Sequence, residues 1–313
     1  MEDMPSRTLT ILCYHGIVDD NPRCYNSSGK HLLSSEFRKQ MDFVSKNCEV
    51  ITMRQIEEFA RGNVDLPNSA VAITFDDGFA NNLLIAHEIL EYYELSATLY
   101  LATGYVSNSR LMWTDELELL IMEAPPNTPT ITIDNRLRLD FQTEKTKAMS
   151  FKQIKTILKK LEKQKRIETI DGIKKILATD ISSIRHKALH DFLTWDQVRY
   201  MSGSGIWDIG AHTVNHLSLG SISEDEGRVE IEDSINKVIH EVKAVETPLF
   251  SYPEGQLYDM PEYAVDFIKN KGLFSAPSAI PGHNLIVDIK TFSFHKLRRF
   301  MVGFEGLYFP WRI

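Results

Sequence analysis

Short apolar runs alternate with helical periodicities along this 313-residue chain, and that alternation restricts its fold more than any other feature. Residues 8–17 (TLTILCYHGI) read as a buried strand that ends in the polar pair Tyr14-His15. Phe37, Met41 and Val44 then fall at helical spacing behind a serine cap at 34–35. A short strand around residues 49–52 and a helix over 53–60 follow. Residues 70–75 (AVAITF) form the next strand, 82–93 (NLLIAHEILEYY) a helix and 96–103 (SATLYLAT) another strand. Strands alternating with helices predict an α/β fold with a parallel sheet and helices outside, either open or closed into a barrel. In both forms, functional residues gather at the C-terminal strand ends. His15 and the adjacent Asp76 and Asp77 fall there.

The rhythm breaks between about residues 105 and 193 and resumes from Leu193 to the end. The chain therefore reads as one domain, 1–313, with an insertion at about 105–193. Residues 130–141 suggest a hairpin that turns near Asp134-Asn135. Residues 150–177 are lysine-rich and helical, with Phe151, Ile154, Leu158 and Leu161 as the apolar stripe. The simplest reading is a solvated amphipathic helix pair. A cap that contacts a polyanion is the alternative.

A net charge of −8 argues against a nucleic-acid partner bound by phosphate neutralisation. No stretch approaches the roughly 18 apolar residues of a membrane span, and residues 1–17 lack the basic start and apolar core of a secretion signal. Cys13, Cys24 and Cys48 show no metal-type spacing and make a disulfide framework unexpected. A reduced, cytoplasmic protein is the expectation. The oligomeric state is not legible.

His212 and His216 follow an apparent strand at 206–211 and stand four residues apart, so on a helical turn both imidazoles reach one ion. Two histidine nitrogens and one carboxylate oxygen make a catalytic-type metal site with a position left open for water. The adjacent acids then divide into a ligand and a base that takes the proton from the attacking water. Taken alone, Asp76-Asp77-Gly78 would read equally well as a loop capping the helix that starts near Asn81.

TFDDG (74–78), HTVNH (212–216) and FSYPEG (250–255), in this order and at these distances, resemble the polysaccharide deacetylases of carbohydrate esterase family 4, the NodB-homology group. The likeness extends from residues 12–17 to 297–300 and leaves out the insertion. It implies a distorted (β/α) barrel and hydrolysis of an N-acetyl group on an amino sugar by a divalent metal. By position, Asp76 is the general base, and Asp77, His212 and His216 hold the ion, usually zinc, with Co2+, Ni2+ or Mn2+ as alternatives. The backbone N–H of Glu254 is the matching oxyanion donor. Two positions depart from the family pattern: Ser251 stands where an arginine that steadies the base is common, and Glu254 where an aromatic residue is usual. Arg298 or Arg299 could supply the missing cation, and Arg298 is taken as a substrate contact.

His15 and His295 are the two candidates for the acid that protonates the departing amine. The YHxI start resembles a subgroup acting on exopolysaccharides, which favours His15. Tyr14, Trp113 and Tyr252 are candidate platforms for sugar faces, Trp113 first among them, with Glu254 as a further substrate contact. The expected substrate is a cytosolic N-acetylated sugar, nucleotide- or lipid-linked, in surface-glycan assembly, with the insertion roofing the groove. A related metal-dependent amidase or deformylase, or a silent glycan-binding protein, is the alternative function.

Overall fold

The computed structural model describes residues 6–20, 25–133, 137–178, 180–181, 186–243 and 249–303. The N-terminal third contains β1 (Arg7–Tyr14), β2 (Gly16–Val18), β3 (His31–Leu33), α1 (Ser34–Asn47), α2 (Met53–Arg61), β4 (Ser69–Phe75), α3 (His87–Tyr92) and β5 (Ala97–Leu101). The middle holds α4 (Trp113–Met122), β6 (Ile131–Ile133), β7 (Leu137–Leu139), α5 (Glu144–Leu158), α6 (Lys163–Leu177) and α7 (Lys187–His190). The remainder is α8 (Trp195–Gly203), β8 (Trp207–Ala211), α9 (Glu224–Glu241), β9 (Leu249–Phe250), α10 (Glu262–Asn270), β10 (Asn284–Ile286) and β11 (Phe300–Met301).

The main sheet has seven strands in the order β10-β1-β4-β5-β8-β9, with β11 also on β1. Every pairing is parallel except β1–β10. The sheet curls into a half-barrel, the distorted (β/α) barrel expected from the sequence. The first half of β1 pairs with β10 and its end pairs with β11, through Leu12–Phe300 and Cys13–Met301. This switch carries the C-terminal segment to the same strand end as His15 and Asp76.

Side chains alternate across the sheet with a period of two. Leu12, Tyr14, Ile73, Phe75, Leu99, Leu101 and Ile209 pack with buried residues of α1, α3, α8, α9 and α10 in one cluster. Leu9, Ile11, Ala70, Ala72 and Tyr100 enter another with Met53, Ile56 and Phe59 of α2. A separate cluster lies in the segment between β5 and α8. There Leu117, Leu120, Phe141, Phe151, Ile154 and Ile170 are buried together, and Leu161 packs against them. Where this segment ends, the Leu193 N–H donates to the Gly78 carbonyl and the Ala80 N–H to that of Asp191. Among the described residues no helix is long and apolar enough to cross a membrane.

Several local expectations change. The cap of α1 is Leu33 without a side-chain bond, so Ser34 lies in the first turn instead of ahead of it. The strand expected at 49–52 reduces to a single bridge, Val50 to Val71. The first turn of the 82–93 helix is π-wound. The hairpin pairs residues 131–133 with 137–139, while its turn at Asp134-Asn135 lies outside the described residues, as does Cys24.

Tyr14 requires a larger correction. The alternation along β1 places it on the helix-covered face, 1% exposed, between Phe37 and Phe75. Its hydroxyl donates to Gln40 Oε1 at 2.8 Å, so its ring offers no face to a sugar. Tyr14→Phe strands a buried acceptor and should cost about 1–3 kcal/mol in urea unfolding. The affinity of the intact protein for sugar oligomers should stay unchanged; a loss confined to binding would return Tyr14 to the substrate groove.

Candidate active site and metal centre

Three loops at the C-terminal sheet edge meet at the bottom of a cleft of about 1310 Å³. The first follows β4. Asp76 donates its backbone N–H to the Tyr14 carbonyl, in continuation of the β1–β4 ladder, and Asp77 then takes a left-handed conformation with φ 76°. Gly78 follows at φ 90°, where a Cβ would lie 2.7 Å from Leu101 Cδ2. A glycine is therefore required for the chain to turn beneath β5.

The second loop, 212–216, is not the helical turn that the four-residue spacing suggests. It is irregular, with Thr213 at φ 60° and His216 at φ 51°. Glu230 of α9 holds it by accepting the N–H groups of Val214 (2.9 Å) and Asn215 (2.8 Å). Gly104 donates to the Val214 carbonyl. The third loop follows β9 and contains Glu254 at φ 59°. Seven described non-glycine residues have positive φ, and four of them lie in these three loops. Such strain costs about 1–3 kcal/mol per residue and collects where a site needs it.

Asp77, His212 and His216 come together, with their potential ligand atoms all within 4.8 Å of one another. His216 Nε2 is 3.3 Å and His212 Nε2 3.9 Å from Asp77 Oδ1. A tetrahedral ion with bonds of ~2.0–2.2 Å spaces its ligands by roughly 3.3–3.6 Å, so the three residues fit one with little movement. The tautomer of His212 fits too: its Nδ1 donates to the Ser251 carbonyl at 2.8 Å, leaving the Nε2 lone pair facing Asp77. Burial lowers the pKa of both imidazoles, which favours neutral rings. Asp77 Oδ1 is buried without a hydrogen-bond partner, and burial pushes its carboxyl pKa up to about 7 against the pull of His212 and Lys30. An orphaned buried oxygen beside two imidazole nitrogens is a donor set that suits a divalent ion.

Asp76 has a different environment. Arg299 Nη1 and Nη2 reach its two oxygens at 2.8 and 2.7 Å, a bidentate pair with both side chains buried. Burial alone would raise the Asp76 pKa, but Arg299 and then His212 outweigh it and hold the carboxyl well below the usual range. Arg299 is itself fixed through Nε to the Ser278 carbonyl at 2.6 Å. The guanidinium that Ser251 cannot provide thus comes from the segment entering β11. Arg298, its neighbour, is exposed and does not line the cleft, although its Nη1 donates to the carbonyl of Pro281, which does. Of the two arginines left open by the sequence, Arg299 meets the base, and Arg298 is set aside as a substrate contact.

The remaining candidates divide. His15 lines the cleft, and burial lowers its pKa to about 3. Its carbonyl accepts from Asn82 Nδ2 at 2.8 Å. Cys13, His15 and Asp76 form a second group with atoms within 4.8 Å, but burial raises the Cys13 thiol pKa and Arg299 already occupies Asp76, so this group suits an ion less well. His295 does not reach the cleft; its ring bonds the Leu273 carbonyl at 2.9 Å, which removes it as the acid. Trp113 opens α4 but packs into the cluster of Leu117 and Phe151 beneath Arg166, so it is no sugar platform. Tyr252 and Glu254 both line the cleft, and Glu254 pairs with Lys159 just beyond α5.

A family model for polysaccharide deacetylases matches residues 63–273. This chain belongs to the polysaccharide deacetylase family. No curated protein matches it in sequence. Among solved structures it is similar to the Streptococcus pyogenes deacetylase PplD in complex with acetate, at 14% identity and a TM-score of 0.60, over 96% of this chain and 94% of that one. IcaB from Ammonifex degensii gives 15% identity and 0.59, over 95% and 92%. The de-N-acetylase from Aggregatibacter actinomycetemcomitans gives 18% and 0.55, over 95% and 96%. At these identities the likeness concerns the fold, the NodB-type barrel.

The lysine-rich stretch at 150–177, read from the sequence as a solvated helix pair with a polyanion-contacting cap as the alternative, turns part of its basic face to the cleft. Lys152 and Lys155 of α5, and Lys159 just beyond it, line the cleft beside Lys30. Their spacing of three and four residues was the available signal, but amphipathic periodicity does not say whether a polar face meets water or a groove. The Asp76–Arg299 pair yields a direct test. Arg299→Met leaves a buried carboxylate uncompensated and should lower unfolding free energy by about 3–5 kcal/mol. Arg299→Lys keeps the charge without the bidentate fork and should lose less. Wild-type stability of both variants in urea would refute the pairing.

Proposed function

We propose that this protein is a metal-dependent hydrolase that removes the N-acetyl group from an amino sugar of a glycan, in polysaccharide or surface-glycan assembly. The observation that carries the reading is the orphaned Asp77 oxygen facing His212 and His216, with an arginine-clamped second carboxylate next to it. Asp77, His212 and His216 would hold one divalent ion, zinc or another of the transition series. When bound, it supplies Lewis-acid polarisation of the acetamide oxygen and a lower pKa for water.

The protein's own groups do the rest. Asp76, ionised and oriented by Arg299, accepts the proton of the attacking water through a lone pair that the guanidinium leaves free. The backbone N–H of Glu254 donates to the oxyanion as the carbonyl becomes tetrahedral. Collapse breaks the C–N bond, and the proton held by Asp76 passes to the amine nitrogen, giving acetate and a free amino sugar. His15 would relay that proton; its place in one cluster with Asp76 and the burial that favours a neutral ring support this role.

Two variants separate ligand from base. Metal content is measured on protein purified without chelator, and acetate release on N-acetylhexosamine oligomers. Asp77→Ala should lose the ion and all activity. Asp76→Asn should keep the ion and lose about 10²–10⁴-fold in kcat/KM. Protein that binds no ion after re-addition at neutral pH, or a loaded enzyme inert on every N-acetylated sugar, would overturn the proposal.

A further inference from the structure

The basic face of α5 has no part in the chemistry above, yet it forms a wall of the same cleft. Lys145, Lys152, Lys155 and Lys159 all line it, at intervals of seven, three and four residues that make one stripe on a helix. From Lys145 to Lys159 the stripe runs ~21 Å at the α-helical rise. The buried Ile154 and Leu158 turn instead into the cluster shared with Leu117 and Phe141. Residues 144–177 hold eleven basic and four acidic side chains in a chain whose net charge is −8, so positive charge is concentrated on this segment.

The cleft's acids leave Lys155 without a salt bridge. Asp76 is taken by Arg299, Asp115 by Lys30 and Glu254 by Lys159, and Glu118, which faces Lys155, accepts from Ser27. Lys155 is half-buried and has no carboxylate within salt-bridge distance among the described residues. Its ammonium lies 5.0 Å from the centre of the Phe151 ring, and burial together with Lys159 lowers its pKa to about 8. Like charges three and four residues apart weaken a helix, and a half-buried ammonium without a salt bridge is costly. An anionic ligand relieves both. The Lys159–Glu254 pair also neutralises an acid of the cleft.

Resting on the deacetylase reading, we propose that the substrate is an acidic glycan, whose carboxylate or phosphate groups run along the lysines of α5 while one N-acetylated residue enters the metal centre. The linear arrangement favours an extended strand with recurring charge over a single phosphate, which converging donors would grip from several sides.

The test uses the full chain loaded with zinc, as wild type and as Lys152→Gln/Lys155→Gln, with circular dichroism to confirm that both fold. The probes are hyaluronan hexasaccharide (uronate alternating with N-acetylglucosamine), an N-acetylhexosamine oligomer joined by phosphodiesters, and neutral chitohexaose. Binding is read by calorimetry, on the Asp76→Asn background to prevent turnover, and acetate release separately. At about 0.05 M salt, one of the acidic probes should bind at least about tenfold tighter than chitohexaose, and the gap should close near 1 M. The lysine variant should reduce that probe to the chitohexaose level without changing chitohexaose itself; whichever acidic probe shows the gap identifies the anion. Equal binding of all three probes, or a preference that survives the double substitution, overturns the inference. Acetate release from chitohexaose without any acidic preference would sink the inference and leave the deacetylase. An acidic preference with no acetate from any probe would sink the deacetylase and leave the stripe.

Discussion

Two carboxylates on consecutive residues at a buried strand end can both stay ionised only if each has its own positive partner. Asp76 has Arg299 on both oxygens; Asp77 has no protein donor on Oδ1, only two neutral imidazoles. The rest of the active edge follows from this inequality. For Arg299 to arrive, the C-terminal segment must return to β1, and the split pairing of β1 with β10 and β11 allows it. The Arg299 N–H bonds the Ile280 carbonyl and its Nε the Ser278 carbonyl, so the guanidinium is oriented before it meets the base. A buried pair of this kind contributes little net stability, because desolvation offsets most of the attraction. Its value lies in the geometry: one carboxylate is held ionised and fixed, and the other keeps a buried oxygen that accepts no hydrogen bond.

The parts of the site legible in the sequence are those encoded locally. A short apolar run ending in Asp76-Asp77-Gly78 marks a strand end whatever the tertiary context, and His212 and His216 sit close to each other in the chain. The parts that were not legible depend on parity and register. Tyr14 and His15 are neighbours, yet the period of a strand sends one into the helix-packed core and the other to the cleft. Arg298 and Arg299 differ in the same way, and only the pairing of Leu12 with Phe300 decides which of them faces Asp76. The left-handed residues Thr213 and His216 turn an apparent helical spacing into a strained loop. No local pattern announces that conformation, because Glu230, far along α9, holds it. The Leu273 carbonyl, the tertiary partner that removes His295 as a candidate acid, leaves no mark in the local sequence.

The insertion shows the same limit on a larger scale. Its apolar stripe of Phe151, Ile154 and Leu158 was readable and is buried. Its polar face was not, since a lysine-rich stripe looks identical whether it faces bulk water or a groove. What fixes its orientation is remote: the segment ends in hydrogen bonds to Gly78 and Ala80, the loop that carries the two aspartates.

That attachment explains how the fold can separate its two tasks. The hydrolytic groups stand on strand ends and tight loops whose strain the sheet and α9 maintain, so they cannot move far without breaking the constellation. The cationic wall stands on a helix with its own small core, and its side chains are long and reach into the cleft from outside the barrel. Changing a lysine there alters the field along the groove without touching the Asp76–Arg299 clamp. Lys159, through Glu254, couples the two parts. Glu254 itself sits at a positive φ in the third loop, so its pairing with Lys159 ties that loop to the segment between β5 and α8 as well as removing a charge. On the proposed function, substrate choice would change through the segment between β5 and α8 while the chemistry stays on the sheet, and the Glu254–Lys159 contact joins the two.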